Sequence, residues 1–112
     1  MTHHLSFLPA DRPTFDLLRA GEKKLETRAG SPEYLKIQAG DNLEFYCGSD
    51  KFIKQVKKVA RYKNLDELFA AHQPQEIMPG IAGRAELEKM YASFPGYNER
   101  IKEYGILVFE LG

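Results

Sequence analysis

The residues best suited to chemistry lie in one short segment, residues 21–28, with the sequence GEKKLETR. Carboxylate, ammonium and guanidinium groups placed side by side can bind polar ligands or move protons. If the segment is a strand, its side chains alternate, so that Lys24, Glu26 and Arg28 share one face and Lys23 falls on the other. This pattern predicts a polar cleft. The alternative is a solvated edge strand whose charges discourage pairing with another chain.

Several common kinds of reactive site are absent from the sequence. There is no HExxH or CxxC pattern for a metal, no GxxxxGK[ST] or GxGxxG loop for phosphates, and no GxSxG nucleophile elbow. The single cysteine, Cys47, lies on the apolar side of a predicted strand, which is typical of a small core residue. We therefore expect no cofactor and no metal site.

The composition is that of one ordinary domain, residues 1–112, with sixteen basic and sixteen acidic residues and 43% apolar residues. Zero net charge argues against a protein that coats long duplex nucleic acid, so any nucleic-acid contact must be local. No apolar run approaches the roughly 20 residues that span a bilayer, and the first residues lack a secretion signal. With one cysteine, the simplest location is the reducing cytoplasm.

Helix and strand signals together predict an α+β fold. Asp11 is a candidate N-cap and Gly21 a candidate C-cap of a first helix, and Asn64 caps a second with Glu67 at its third position. A third helix is predicted near residues 84–94, after a two-proline loop at 72–80. Strands are predicted at residues 4–7, 24–28, 42–47, 52–62 and 106–111, the last of them apolar enough to be buried.

The predicted strand at 52–62 is strongly basic. Between positions 51 and 63 lie five lysines and one arginine with no acidic residue, including Lys57 and Arg61. Ile53, Val56 and Val59 are its expected core contacts, and their spacing of three predicts a bulge or a strong bend. The basic side chains either face phosphate or form a solvated face that blocks aggregation.

The order of these elements resembles the ASCH domain family. The segment at 21–28 matches its G-x-K-x-x-E-x-R signature, and the residues AGDNLEF at 39–45 match its G-D-x-apolar-x-F strand. The resemblance covers nearly the whole chain. It implies a PUA-like small β-barrel of about five to six mostly antiparallel strands, flanked by about three short helices.

The resemblance also implies a function. ASCH domains are generally thought to bind RNA or nucleotides in a cleft lined by the signature strand, and some small bacterial members are amidohydrolases that deacetylate N4-acetylcytidine. Those enzymes use a lysine, a threonine and a glutamate. Aligned through Gly21 and the helix that starts at Leu65, the lysine falls on Lys23, the glutamate on Glu76 and the threonine position on Glu26.

Glu26 in place of a threonine changes the chemistry, because a carboxylate cannot repeat hydroxyl acyl transfer without forming a mixed anhydride. Glu26 can instead act as a general base on water, with Lys23 holding the oxyanion and Glu76 handling the second proton. It can equally pair with Lys23 or Arg28 and fix the shape of a pocket. Strict alternation separates Lys23 from Glu26, so Lys23 must lie in the turn before the strand or be redirected by a bulge. Thr27 is one position away from the threonine site.

Three functions follow as hypotheses. In the first, the domain binds RNA or a modified nucleoside: Arg28 and the basic strand meet phosphate, Glu26 reads a base edge, and an aromatic ring stacks on the base. Further binding candidates are His4, Lys24, Tyr46, Tyr62, Lys57, Arg61 and Tyr97. In the second, it hydrolyses an acylated nucleoside or, weakly, RNA. In the third, its charged cleft docks a partner peptide. In the first two, Lys23, Glu26, Arg28 and Glu76 are expected to converge on one pocket.

Overall fold

One sheet of five strands organises the protein, whose computed structural model describes residues 1–112. The strands are β1 (Thr2–Phe7), β2 (Leu25–Ala29), β3 (Asn42–Cys47), β4 (Asp50–Tyr62) and β5 (Ile106–Leu111). Their order across the sheet is β1-β3-β4-β5-β2. Only the β1–β3 pairing is parallel, and the other three are antiparallel. The sheet curls into a half-barrel, which confirms the predicted barrel-like α+β fold.

Two apolar cores meet at β5. Leu107, Phe109 and Leu111 belong to the first core, with the first helix and strands β1, β3 and β4. Ile106 and Val108 point to the second, which packs beneath the remaining helices. All of β5 except Glu110 is therefore buried, as its apolar sequence predicted. In β3, Cys47 is buried in the first core, again as predicted.

The bulge predicted in the basic strand is confirmed. The β4–β5 register shifts between Val56, which pairs with Leu111, and Lys58, which pairs with Glu110. Val56 is buried and Val59 packs against the first core. The expectation that Ile53 is a core residue was wrong: its side chain is exposed, because before the bulge the strand turns Phe52 inward and Ile53 outward.

The helices are α1 (Arg12–Ala20), α2 (Leu65–Ala71), α3 (Pro74–Ile77), α4 (Arg84–Ser93) and α5 (Tyr97–Tyr104). Gly21 ends α1 in the left-handed conformation with φ of 80°, as predicted. Asp11 occupies the N-cap position of α1, but its side chain makes no capping hydrogen bond. At α2 the Asn64 side chain accepts from the backbone N–H of Glu67, as expected.

Two of the five helices, α3 and α5, were not predicted. The two-proline loop contains α3, where Pro74 occupies the first turn and a capping box joins Gln73 to Glu76. Helix α5 buries only Tyr97 and Ile101, one turn apart, and the rest of it is polar. None of the helices has the length and apolar character needed to cross a membrane.

Candidate functional site

A cavity of about 250 Å³ opens where the two outermost strands of the sheet, β1 and β2, approach each other. We call it the seam cavity. Phe7 and Leu8 line it from the end of β1, residues 26–28 from β2, and Tyr91 and Phe94 from α4 and its C-cap. The cavity therefore joins an apolar wall to the charged signature segment.

Lys23 and Glu26 form a buried ion pair in the seam cavity. The Lys23 Nζ lies 3.7 Å from Glu26 Oε1, and the two side chains are 1% and 6% exposed. Because β2 begins only at Leu25, Lys23 lies in the turn before the strand and escapes strict alternation. The Lys23 ammonium also donates a hydrogen bond to the Leu25 carbonyl. The sequence predicted that Lys23 either lies in the turn before the strand or is redirected by a bulge, and the structure shows the first.

The other oxygen of Glu26 is held by Arg28. Arg28 Nε and Nη2 donate to Glu26 Oε2 at 3.2 and 3.1 Å, while the backbone N–H of Thr27 donates to Oε1 at 3.1 Å. Both carboxylate oxygens are thus occupied by protein donors. Glu26 pairs with both Lys23 and Arg28, the contacts expected if it fixes the shape of the pocket, and its role as a general base stays a prediction.

Burial and charge act against each other in this cluster. Burial lowers the pKa of the Lys23 ammonium, and the negative charge of Glu26 offsets part of that effect. For Arg28, burial is the largest influence and lowers the pKa, but the Glu26 carboxylate together with Tyr34 and Tyr97 outweighs it, so the pKa is raised. Arg28 therefore remains a permanent cation beside Glu26.

Two tyrosines tie the helices to β2 behind the cavity. The Tyr91 and Thr27 hydroxyls are 2.6 Å apart, and the Tyr97 hydroxyl donates to the Thr27 carbonyl at 3.2 Å. Their rings stack with centroids 5.5 Å apart, and burial raises the pKa of both phenols. Both rings line the seam cavity. The sequence offered Tyr97 as a binding candidate, whereas Tyr91 was given no role beyond its place in the predicted third helix.

Glu76 does not join this cluster. It lies in α3 on a second cavity of about 400 Å³, the side cavity, which it lines with Lys24, Glu22, His72 and Glu110. Its Oε1 accepts from the backbone N–H of Gln73 as part of a capping box, and its side chain is 53% exposed. Of the four residues expected to converge, the structure brings together Lys23, Glu26 and Arg28 and separates Glu76, because its capping role turns it outward. Lys24, a further binding candidate, also lies on the side cavity.

His4 and Tyr46 lie on the outer face of the β1–β3 pair rather than in the seam cavity. His4 Nδ1 is 3.3 Å from the Tyr46 hydroxyl, which also donates to Glu44. Strand alternation explains this position, because Leu5, next to His4, and Phe45, next to Tyr46, point inward.

The remaining candidates are also distant from the seam cavity lining. The Tyr62 hydroxyl lies 3.1 Å from His72 Nε2, and its ring packs against the second core. Lys57 and Arg61 are exposed on β4, and Arg61 Nε donates to the Tyr104 carbonyl at 2.8 Å. These residues therefore sit on other surfaces of the protein.

Two solved structures are similar over nearly the whole chain. The crystal structure of hypothetical protein PH0355 is 26% identical in sequence, with a TM-score of 0.81 over 99% of this chain and 97% of that one. The solution NMR structure of protein PF0455 from Pyrococcus furiosus is 23% identical, with a TM-score of 0.75 over 99% and 96% of the two chains. No family model and no curated protein matches the sequence. The likenesses support the fold, and the ASCH resemblance stays a prediction.

Proposed function

We propose that this protein binds a single nucleoside, free or at an exposed position of an RNA, in the seam cavity. The observation that carries the proposal is the buried Lys23–Glu26–Arg28 cluster beside apolar and aromatic side chains. Small-molecule sites are typically apolar clefts in which a few fixed polar groups set the ligand's orientation. The ASCH resemblance, which implies nucleotide or RNA binding, agrees with this arrangement.

The size of the seam cavity favours one nucleoside over a longer segment of chain. Its volume of about 250 Å³ lies just below the roughly 300–1,000 Å³ of pockets that enclose drug-sized ligands. A base with its sugar is a ligand of this small class. Several stacked nucleotides would need a longer groove.

Arg28 and Phe94 are the groups through which the seam cavity holds a base in this proposal. A guanidinium has five N–H donors, and two atoms of Arg28, Nε and Nη2, are engaged by Glu26. Its remaining donors suit a carbonyl oxygen on a base edge. Phe94 is a half-buried ring on the cavity wall, whereas Tyr91 and Tyr97 already stack on each other. Phe94 meets Tyr97 in a T-shaped contact with ring centroids 5.1 Å apart, and it is the ring that this proposal assigns to stacking on the base.

The binding test is a calorimetric titration of the four common nucleosides and N4-acetylcytidine into the intact protein. We expect Phe94→Ala to weaken binding by about tenfold or more, since stacking on an aromatic ring contributes about 1–3 kcal/mol per base. Tyr46→Ala, which removes a ring from the outer face, is the matched control and leaves the affinity unchanged. Failure of every nucleoside to bind, or equal binding by the Phe94 variant, contradicts the proposal.

Hydrolysis of an acylated nucleoside is the second candidate, favoured by the lowered pKa of the buried Lys23 beside a carboxylate in the seam cavity. Two features weigh against it: Glu26 has both oxygens occupied, and Glu76 faces the side cavity. Incubation with N4-acetylcytidine, with cytidine release followed by chromatography, separates the candidates. Turnover that is lost in Lys23→Ala and Glu26→Ala would favour the hydrolase, and binding without turnover favours the binding domain.

A further inference from the structure

Arg100 is the one cation on the seam cavity that has no carboxylate partner. Lys23 and Arg28 share Glu26, but Arg100 forms no salt bridge with any residue. Its Nε is buried and has no hydrogen-bond acceptor. A buried donor without an acceptor is unfavourable, and no group of the protein accepts a hydrogen bond from the rest of the Arg100 guanidinium either.

The Arg100 guanidinium is held in place by an aromatic ring. Its Cζ lies 5.4 Å from the centre of the Tyr97 ring, and Tyr97 is in turn fixed by its hydrogen bond to the Thr27 carbonyl. A guanidinium that stacks on a ring keeps its edge free to donate two parallel hydrogen bonds. The side chain is half-buried, so it stands between the cavity interior and solvent.

The charges lining the seam cavity do not cancel. Lys23, Arg28 and Arg100 supply three positive charges, against one each from Glu26 and Asp11. Neither Asp11 oxygen forms a salt bridge or hydrogen bond with Arg100, so it does not neutralise that residue. The cavity lining therefore carries one net positive charge, and the half-buried Arg100 is its cation without a carboxylate partner.

We infer that the ligand of the seam cavity is a nucleoside that carries a phosphate monoester, and that Arg100 is the residue that recognises the phosphate. This inference rests on the proposed function and adds the chemical class of the ligand. The guanidinium edge matches two oxygens of a phosphate, and its charge matches the dianion. The phosphate monoester can belong to a free mononucleotide or to the phosphorylated end of an RNA.

The test measures the ratio of two dissociation constants by calorimetry, for a nucleoside and for its monophosphate. Each common nucleoside and its 5′- and 3′-monophosphates are titrated separately into the protein at one fixed salt concentration. A 5′-phosphorylated tetranucleotide is titrated under the same conditions. We expect the wild-type protein to bind a monophosphate roughly tenfold or more tighter than the nucleoside, as a charge-assisted bidentate contact allows. Tighter binding of the tetranucleotide than of any mononucleotide would identify the RNA end as the source.

Arg100→Gln should reduce that ratio to below about three, because it removes the charge and the bidentate edge. Lys102→Gln is the matched control, since it removes an exposed positive charge from the same helix and should keep the ratio. Equal binding of nucleoside and monophosphate by the wild type, or an unchanged ratio in Arg100→Gln, overturns the phosphate inference and leaves nucleoside binding in place. Binding of neither ligand class refutes the proposed function and this inference with it.

Discussion

The guanidinium carbon of Arg28 lies 5.0 Å from the centre of the Phe7 ring. Arg28 belongs to β2 and Phe7 to β1, the strands at opposite ends of the sheet order. The contact between them therefore bridges the two edge strands of the half-barrel at the seam cavity. Glu26 anchors the same guanidinium. The Lys23–Glu26–Arg28 cluster therefore sets the charge of the cavity and also holds β2 close to β1.

Glu26→Gln should destabilise the protein by about 3 kcal/mol or more, because it leaves the buried Lys23 ammonium without a counter-charge. Urea unfolding at pH 7 measures the free energy of unfolding. Glu103→Gln, on an exposed position of α5, should change it by no more than about 0.5 kcal/mol. Equal stability of the two variants would contradict the assigned role of Glu26.

Lys23→Met should have a much smaller effect, within about 1 kcal/mol of wild type. The substitution removes a cation whose burial is unfavourable, and Glu26 keeps the Arg28 guanidinium and the Thr27 N–H as partners. The same urea experiment tests this asymmetry within the ion cluster. A loss as large as that of Glu26→Gln would mean that Lys23, rather than Arg28, is the principal partner of the carboxylate.

Thr27→Val should destabilise the protein by about 1–3 kcal/mol, since it leaves the buried Tyr91 hydroxyl without its partner. Combining it with Tyr91→Phe removes both polar groups, so the double variant should lose less than the sum of the single losses. A double-mutant cycle measures this coupling, which should exceed about 0.5 kcal/mol. Strict additivity would show that the two hydroxyls do not depend on each other.

Alkaline pH should destabilise the fold through Tyr91 and Tyr97, whose folded pKa values lie above the ordinary 10.0. Above pH 10 the unfolded chain loses phenol protons that the folded state retains, so the free energy of unfolding falls as pH rises. The slope is at most about 1.4 kcal/mol per pH unit for each tyrosine. Lys23 acts oppositely: its folded pKa is lowered, so its contribution rises with pH until the ordinary 10.5 is reached.

The measurement for this pH effect is urea unfolding between pH 10.5 and 11.5. Tyr91→Phe should make the fall in stability shallower, because one buried phenol is removed. A Tyr91 variant with the wild-type slope would be the contrary result.

Glu76→Ala should lower stability by about 1 kcal/mol, through loss of the capping box of α3, and leave nucleoside affinity in the seam cavity within about twofold. Calorimetric titration together with urea unfolding checks both parts. A loss of nucleoside binding or turnover in a folded Glu76 variant would show that the side cavity and the seam cavity work together.

The signature segment allowed most of the charged cluster to be predicted, because position along a strand determines which side chains share a face. Glu26 and Arg28 are two residues apart and meet as expected. The sequence left open which way the Lys23 side chain points, because that depends on where β2 begins. Glu76 was expected in the same pocket but caps α3 instead. Whether a carboxylate caps its own helix or faces a pocket depends on the turn that precedes the helix.

The helical wall of the seam cavity was much less predictable. Tyr97 and Ile101 are the only buried residues of α5, and two apolar positions one turn apart are a weak helical signal. Arg100 stands between Glu99 and Ile101, and nothing in that sequence context separates it from a solvated residue. Its unpaired Nε becomes visible only when α5 is packed against β2 and the tyrosines.

The sheet order has a consequence for the synthesis of this protein. Strand β2 pairs only with β5, whose residues 106–111 follow every residue that lines the seam cavity. A nascent chain that ends at Arg100 would contain each group of the site, yet β2 would have no neighbouring strand to hold Glu26 and Arg28 in register. The candidate site is therefore incomplete until β5 has been synthesised and has paired with β2.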